Sequence, residues 1–555
     1  MLMSGAQAVV ASLKAEGVDL VFGYPGGAAL HLYDALYDSG ITHILTRHEQ
    51  GAAHAADGYA RATGKVGVCI STSGPGATNL ITGIATANMD SVPMVFITSQ
   101  VSTSMIGKDS FQEADITGIT TPITKHNFLV KRPQDLLKSI KQAFYIARTG
   151  RPGPVLIDIP KDITGAEVDF VYPDKINLIG YNPVYEGEEC KVRKLAEAIK
   201  QAKKPIFFIG GGMNLSGAWS EFSALVEKTG IPVVSSLMGL GSFPSDHELH
   251  LGMVGMHGTF AANQSVTNSD LLIGIGVRFD DRVTGMVSKF APNAQIVHLD
   301  IDPAEINKNV RTDIRVVGHL KWSLPLLNQL VEPGDYQEWV TQVIEWKNEH
   351  PLKYEASLEL IKPQSVVQAI SDLTQGEGFI VTDVGQHQMW AAQFYNFKNP
   401  RSFLTSGGLG TMGFGLPAAI GAQFGHPDKP VWTISGDGSI LMNIQEIATA
   451  VEHNLPIKVA VLNNRSLGMV RQWQRMFYQK RYSASKHETG TDIAGVAEAF
   501  GAKGIRVKEP KDLLPAIKEA MDYAGPVFID ILVSEEEDVL PMVPAGAPID
   551  QMIGG

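Results

Sequence analysis

The sequence predicts an α/β protein built from three doubly wound, parallel-sheet domains, and three observations carry that prediction. The chain has 555 residues, room for about three or four domains of ~150 residues each. Short β-branched runs alternate with helical patterns over most of its length, as in sheets covered by crossover helices. Glycine-rich turns follow many of the strand-like runs, at the strand ends where open parallel sheets hold ligands.

Composition narrows the function classes. With 44% hydrophobic and 19% charged residues the chain is an ordinary globular one. A net charge of -12 and a pI near 5.7 argue against nucleic acid or an anionic membrane as partner. Of the two cysteines, Cys69 lies inside the apolar run from Val66 to Ile70 and reads as a buried, inert thiol; the sparse usage fits a reducing, cytoplasmic compartment. The longest uncharged stretch, 66–89, is rich in Ser, Thr, Asn and Gly and contains Pro75, so no membrane span is expected. Ser4 reads as an N-cap of a first helix to Glu16, so no targeting leader is read there.

In the first block, expected over 1–172, helices at 4–16, 28–37 and 49–63 alternate with strands at 19–22, 42–46, 66–71 and 92–99. Tyr24-Pro25-Gly26-Gly27 and Ser73-Gly74-Pro75-Gly76 close two of these strands. Glu49 opens a helix beside the sheet edge, where the helix dipole alone would favour an acid. The small residues from Gly51 to Ala56 let a second backbone come close, and a subunit contact is expected there. The run from Gly58 to Val66 misses a phosphate-binding loop by one residue of spacing and lacks its Ser/Thr.

A second block, 190–332, has strands at 205–209, 231–235, 271–277 and 295–299. The first feeds Gly210-Gly211-Gly212, and Asp300 and Asp302 follow the last; those carboxylates suit a ribose contact or a simple turn equally well. The segment 332–362 is polar and connecting. The third block, 363–545, holds Asp383-Val384-Gly385-Gln386-His387 after a strand at 379–382, then a glycine-rich word from Ser406 to Gly415.

Its centre is a β-α-β unit: strand 431–434, Gly436-Asp437-Gly438-Ser439, a helix over 443–452, strand 457–462 and Asn463-Asn464. A parallel crossover brings both strand ends to one sheet edge, so Asp437 and Asn464 should lie side by side. Two oxygen ligands with glycines flanking the acid suit Mg²⁺ and the phosphate it neutralises. Gly-Asp-Gly alone is an ordinary turn. The 24 residues separating Gly438 from Asn463 make the pair resemble the diphosphate-binding motif of thiamine diphosphate enzymes.

Longer words extend that resemblance over nearly the whole chain: Val21-Phe-Gly-Tyr-Pro-Gly-Gly27, Arg47-His-Glu-Gln-Gly-Ala-Ala53, Thr72-Ser-Gly-Pro-Gly-Ala-Thr-Asn79, Phe111-Gln-Glu113, Arg151-Pro-Gly-Pro154, Pro160-Lys-Asp162, Gly255-Met-His-Gly-Thr259, Arg278-Phe-Asp-Asp-Arg-Val-Thr-Gly285, Asp383-Val-Gly-Gln-His-Gln-Met-Trp390 and Leu467-Gly-Met-Val-Arg-Gln-Trp473. In these words the sequence resembles the catalytic large subunit of the biosynthetic, FAD-containing acetohydroxyacid (acetolactate) synthases. The resemblance implies pyrimidine-, flavin- and diphosphate-binding domains in that order. It implies decarboxylation of pyruvate on thiamine diphosphate and transfer of the two-carbon unit to pyruvate or 2-ketobutyrate, for branched-chain amino acid biosynthesis. A homodimer or tetramer with sites between subunits follows, with room for a small regulatory subunit.

Residue by residue, the resemblance implies that Glu49 bonds the cofactor's aminopyrimidine and Met412 bends the cofactor, while Arg278 and Trp473 receive the second ketoacid and Gln112, Phe111 and Lys161 line the approach. Asp437, Asn464 and the Ser466 carbonyl would ligate Mg²⁺. Tyr24, Pro25, Thr72, Asn79, Val384, Gly385, Gln386, His387, Gly410, Gly436, Gly438, Ser439 and Met469 would complete the thiamine diphosphate site. For FAD the matching positions are Arg151, Gly210, Gly211, Gly212, Met256, His257, Gly274, Arg278, Asp300, Ile301 and His319. The chain departs from the family pattern at His31, where Pro is usual, and at His319, where Asp is usual. A pyruvate oxidase relative or a flavin-independent catabolic synthase is disfavoured by the words at 278–285 and 470–473. A glyoxylate carboligase is disfavoured by Glu49, and a non-catalytic scaffold by the intact Glu49, Lys161, Asp437 and Asn464.

Overall fold

A computed structural model describes residues 1–554. It contains three six-stranded sheets, every strand pair of which is parallel, as the alternating pattern predicts. The first helix, Gly5–Ala15, starts at Ser4 in a capping box with Gln7, and helix Glu49–Thr63 has the predicted limits.

All three sheets reverse their direction of winding next to their first major strand. In the N-terminal sheet, Leu20–Tyr24 lies between Thr42–Leu45 and Gly67–Ser71. In the central sheet, Pro205–Ile209 lies between Val233–Ser235 and Leu271–Ile275, and in the C-terminal sheet Phe379–Thr382 lies between Phe403–Leu404 and Val431–Gly436. Because successive crossovers leave these strands in opposite directions, a crevice opens at each reversal, outside the carboxyl ends of the strands. Tyr24 and Thr72 flank the first crevice, the 210–212 glycines and Gly276 the second, Val384–His387 and Gly436–Ser439 the third.

The N- and C-terminal blocks share one hydrophobic core. Its seam is helix Glu49–Thr63 against helix Gly415–Gly425, two helices whose facing residues are Gly and Ala. A Cβ on Gly421 would sit 1.8 Å from the Ala55 carbonyl oxygen, and one on Gly58 would sit 2.1 Å from that of Ala418. The small-residue face at 51–56, expected to meet another subunit, is therefore already buried within its own chain. Sequence periodicity saw that a backbone comes close; it carried no information about whose.

The helix expected over 443–452 is also different. It is a 3₁₀ segment, Leu441–Glu446, broken at Asn443 (φ -134°) and followed by α-helix Ile447–Glu452. The Asn443 amide donates to the Gly413 carbonyl at 2.7 Å, tying the kink to the glycine-rich loop at 406–415. Cys69 is fully buried, as read, and burial pushes its thiol well above the ordinary value. No helix among the described residues is long and apolar enough to cross a membrane.

Gly421→Ala should lower stability by about 1–3 kcal/mol, the usual cost of overpacking a closed seam. Denaturant unfolding measures it, and an unchanged midpoint would show that the two helices can part without loss.

Candidate active site

Register places the third crevice. Gly436 pairs with Leu462, so Asp437 and Asn464 follow directly on adjacent strands, side by side as the β-α-β reading required. Asp437 is 3% exposed, and burial raises its pKa while the neighbouring His487 opposes the rise. Its Oδ2 lies 2.8 Å from His487 Nδ1, whereas its Oδ1 is buried without a hydrogen-bond partner. The Asn464 Oδ1 accepts from the amide and hydroxyl of Ser466, both at 3.1 Å, and its Nδ2 donates to Gln386. One orphaned carboxylate oxygen beside an oriented amide oxygen is a donor set suited to a hard cation that brings phosphate oxygens of its own.

The cradle around them is glycine for steric reasons. A Cβ on Gly436 would come 2.8 Å from His387 Nδ1, and one on Gly438 would come 2.7 Å from the Leu467 side chain. His387 is buried with Nε2 unpartnered, and burial pushes its pKa down to about 3, so it stays neutral. Asp383 fixes the floor: its Oδ1 accepts from the Gly413 and Val384 amides at 2.7 and 3.1 Å and its Oδ2 from Ser435 at 3.2 Å. Burial raises this carboxyl to about 6. Through Gly413 it holds the turn carrying Gly410 and Met412.

These residues open into a cavity of about 810 Å³ that runs on between the central and C-terminal blocks. Of the predicted positions, Arg151, Gly211, Gly212, Met256, His257, Arg278, Asp300, Ile301, His319, Val384, Gly385, Gln386, His387, Gly410, Met412, Gly436, Asp437, Gly438, Ser439, Asn464, Ser466, Met469 and Trp473 all line it. Gly210 and Gly274 do not; both glycines serve packing, since a Cβ would strike the Gly276 carbonyl at 2.4 Å in one case and the Phe279 ring at 2.8 Å in the other. Arg151 is held by Ser91 at 2.8 Å and by Glu305 at 2.6 Å. His319, one of the departures, caps helix Leu320–Leu330 by accepting from the Lys321 amide.

The remaining predicted residues form a second group, at the first crevice. Glu49 is 9% exposed, and its Oε2 accepts from the Asn79 amide at 2.9 Å. Gly76 passes so close that a Cβ there would lie 3.2 Å from Glu49 Oε1. Thr72, buried with its hydroxyl unpartnered, and Gln112, packed over Gly74 at φ +59°, stand beside them, with exposed Tyr24 and Pro25 at the rim. Phe111 and Lys161 are exposed. None of this group lines the cavity of the first. The other departure, His31, bonds Thr164 at 3.2 Å.

Some residues that meet at these crevices carried no usable signal in the sequence. Arg282, not Arg278, has its guanidinium over the Trp473 ring, 5.8 Å from the centroid; Arg278 instead faces Asp280 at 3.8 Å. Both arginines sit in one quoted word, and only the turn at Asp280–Thr284 decides which reaches the tryptophan. His487 belongs to no recognisable word. Asp90 accepts from the Gly407 and Gly408 amides at 3.1 and 2.7 Å and from Arg61 at 2.9 Å, joining the Glu49 helix to the glycine-rich loop.

A glycine-lined cradle with an orphaned carboxylate oxygen, and a buried acid at the reversal of another parallel sheet, suit a thiamine diphosphate enzyme. The family models agree: residues 3–119 match the thiamine pyrophosphate enzyme N-terminal TPP binding domain, 192–330 the central domain and 383–531 the C-terminal TPP binding domain. The chain is 51% identical to the acetolactate synthase large subunit of Corynebacterium glutamicum, covering 98% of this chain and 89% of that one. It is 47% identical to the acetolactate synthase isozyme 3 large subunit of Escherichia coli (99% and 98% covered) and 49% identical to the acetolactate synthase large subunit of Lactococcus lactis (99% and 96%). The chain belongs to the acetolactate synthase large-subunit family.

Asp90→Ala would leave Arg61 buried with only Asp57 and release two loop amides. It should destabilise the fold by about 3–5 kcal/mol, the penalty for removing one partner of a buried pair. Chemical denaturation reads this directly, and a loss under 1 kcal/mol would assign the loop's hold to other contacts.

Proposed function

We propose that this chain is a catalytic acetolactate synthase subunit. It decarboxylates pyruvate with thiamine diphosphate and transfers the hydroxyethyl unit to pyruvate or 2-ketobutyrate, giving 2-acetolactate or 2-aceto-2-hydroxybutyrate. The observation that carries the reading is the cavity in which the Asp437–Asn464 cradle faces the Trp473–Arg282 pair: a diphosphate end and an acceptor end in one space.

When bound, thiamine diphosphate supplies a carbon nucleophile for the ketoacid carbonyl and stabilises the charge left as CO₂ departs. Asp437, Asn464 and the Ser466 carbonyl would hold Mg²⁺ against its diphosphate. Glu49, shielded by Asn79 and Gly76, would bond the aminopyrimidine ring nitrogen and control its proton. Met412 would support the bent cofactor from the turn that Asp383 fixes. The acceptor ketoacid has a carboxylate and a short apolar tail. Arg278, on the wall of the same cavity, would hold the carboxylate, as the resemblance implies, and Arg282 beside Trp473 adds a second cation next to the apolar face.

The long central arm of the cavity, with Arg151, Gly211, Gly212, Asp300 and His319 on its walls, suits an extended dinucleotide, and we assign it to FAD without net redox work. The proposed division of labour is then pyrimidine binding over 1–172, flavin binding over 190–332 and diphosphate binding over 363–545. Because the Glu49 group and the Asp437 group do not share a cavity in one chain, a homodimer in which each copy completes the other's site is the minimum unit proposed. The relatives' designation as large subunits supports a small regulatory partner.

The test supplies the purified chain with thiamine diphosphate, Mg²⁺, FAD, pyruvate and 2-ketobutyrate, and measures both acetohydroxy acids and oxygen. Acetohydroxy acids without stoichiometric oxygen uptake support the proposal; oxygen consumed in step with pyruvate would make the chain an oxidase. Glu49→Gln should keep cofactor binding and slow turnover by about 10²–10⁴-fold, the weight of a positioned acid–base group; near-normal turnover would remove Glu49 from the chemistry. Trp473→Leu should reduce the preference for 2-ketobutyrate, by up to about a hundredfold, the limit for one added methylene. An unchanged product ratio in mixed substrate would place the selecting surface elsewhere.

A further inference from the structure

Behind the cradle runs a line of buried side-chain amides that no catalytic role accounts for. Gln472, 0% exposed, sits on helix Gly468–Phe477 immediately before Trp473. Its Oε1 accepts from the Val539 amide at 2.9 Å and its Nε2 donates to the Val539 carbonyl at 3.1 Å. A backbone amide can only donate and a carbonyl can only accept, so this pairing fixes which way the Gln472 amide points. The same Oε1 also accepts from Gln386 Nε2 at 2.8 Å. Gln386 must therefore turn its own oxygen the other way, where it accepts from Asn464 Nδ2 at 3.1 Å; its Nε2 is further held by the Glu537 carbonyl at 3.0 Å.

Polarity is thus handed from Val539 through Gln472 and Gln386 to the Asn464 nitrogen, while the Ser466 amide and hydroxyl hold the Asn464 oxygen from the other side; the two together keep Asn464 presenting its oxygen, not its nitrogen, toward the cradle. An amide flipped the other way would direct an N–H at the cation. The helix is shaped to admit the relay. A Cβ on Gly468 would stand 2.1 Å from Gln386 Oε1 and 2.6 Å from Asn464 Nδ2, so glycine is required where the two amides meet.

We infer that Gln472 is a positioning residue for the cation site: anchored on Val539, it reinforces through Gln386 the orientation, begun by Ser466, in which Asn464 offers Oδ1 to Mg²⁺. The inference rests on the metal reading of Asp437 and Asn464 proposed above. It also accounts for the full burial of a polar side chain on this helix, and it ties the segment after Ser534 to the cofactor's metal.

Two variants separate polarity from packing. Gln472→Met keeps the length of the side chain and removes both bonding atoms; Gln472→Glu loses the donor to the Val539 carbonyl but keeps an oxygen facing Gln386 and the Val539 amide. Mg²⁺ binding to the chain saturated with thiamine diphosphate is measured by calorimetry, with thermal melting of each variant as the folding control. Affinity should fall on the order of 10–100-fold in Gln472→Met, the usual effect of losing an orienting partner behind a ligand, and should stay within about threefold of the parent in Gln472→Glu. Parent-like affinity in folded Gln472→Met overturns the inference alone. Equal losses in both variants also overturn it, in favour of packing. A parent chain that binds no Mg²⁺ overturns the metal reading and the inference with it.

Discussion

The approach of helix Glu49–Thr63 to helix Gly415–Gly425 is the contact on which the rest depends. Both helices reach backbone distance because Gly58 and Gly421 carry no side chain where Ala418 and Ala55 present carbonyl oxygens. Each helix is also the outlet of a functional loop. Glu49 is the first residue of one, and the turn with Gly410 and Met412 leads into the other. A seam made of small residues gives little area per residue, so its strength comes from dense contact and the absence of strain. Within each chain it fixes the acid of one proposed site relative to the cofactor-supporting turn of the other.

Buried charge completes what the small residues begin. Arg61, on the same helix, pairs with Asp57 and Asp90 and donates to the Thr405 carbonyl at 2.9 Å. Glu446, wholly buried, accepts from the Arg47 amide at 3.0 Å and from Thr449 at 2.7 Å, and burial raises it to about 6. A Cβ on Gly51 would fall 2.3 Å from its Oε1, so here too glycine makes way for a polar contact. Such groups add little net stability, because desolvation offsets most of their attraction. What they provide is direction: an apolar seam could slide, but a carboxylate bonded to a particular backbone amide cannot.

Local chemistry was legible in the sequence, and relations between distant segments were not. The Asp437–Asn464 pair could be placed from two β-branched runs and the rule that a parallel crossover aligns strand ends. The limits of the Glu49 helix followed from its composition and the glycine at its end. Asn443 breaks its helix because of a carbonyl 30 residues away, and no period in the sequence announces that. The choice between Arg278 and Arg282 turns on a four-residue helix capped by Asp280. His487 reaches Asp437 from a loop 50 residues downstream. The segment after Ser534 carries no motif, yet it supplies backbone partners to Gln386, Gln472 and His257. Each of these depends on tertiary closeness that a one-dimensional pattern cannot encode.

Four of the buried groups left unsatisfied point the same way as the residues assigned. Asp437 Oδ1, His387 Nε2, Trp473 Nε1 and Thr72 Oγ1 are all buried without a hydrogen-bond partner, and a buried polar group in that condition costs about 1–3 kcal/mol. All four lie in the two clusters, at the metal, diphosphate, acceptor and pyrimidine ends of the proposed site. Within a few ångströms, by contrast, Gln386 and Gln472 have their side-chain amides fully bonded, to each other, to Asn464 and to the Glu537 and Val539 backbone. Unpaired groups facing the ligand and fully paired groups behind it are what a binding site needs: the first are stabilised only when ligand supplies the missing partner, and the second keep them from relaxing toward each other beforehand. The stability forgone at the cradle is therefore recovered on binding, which couples the fold of the C-terminal block to the occupancy of its crevice.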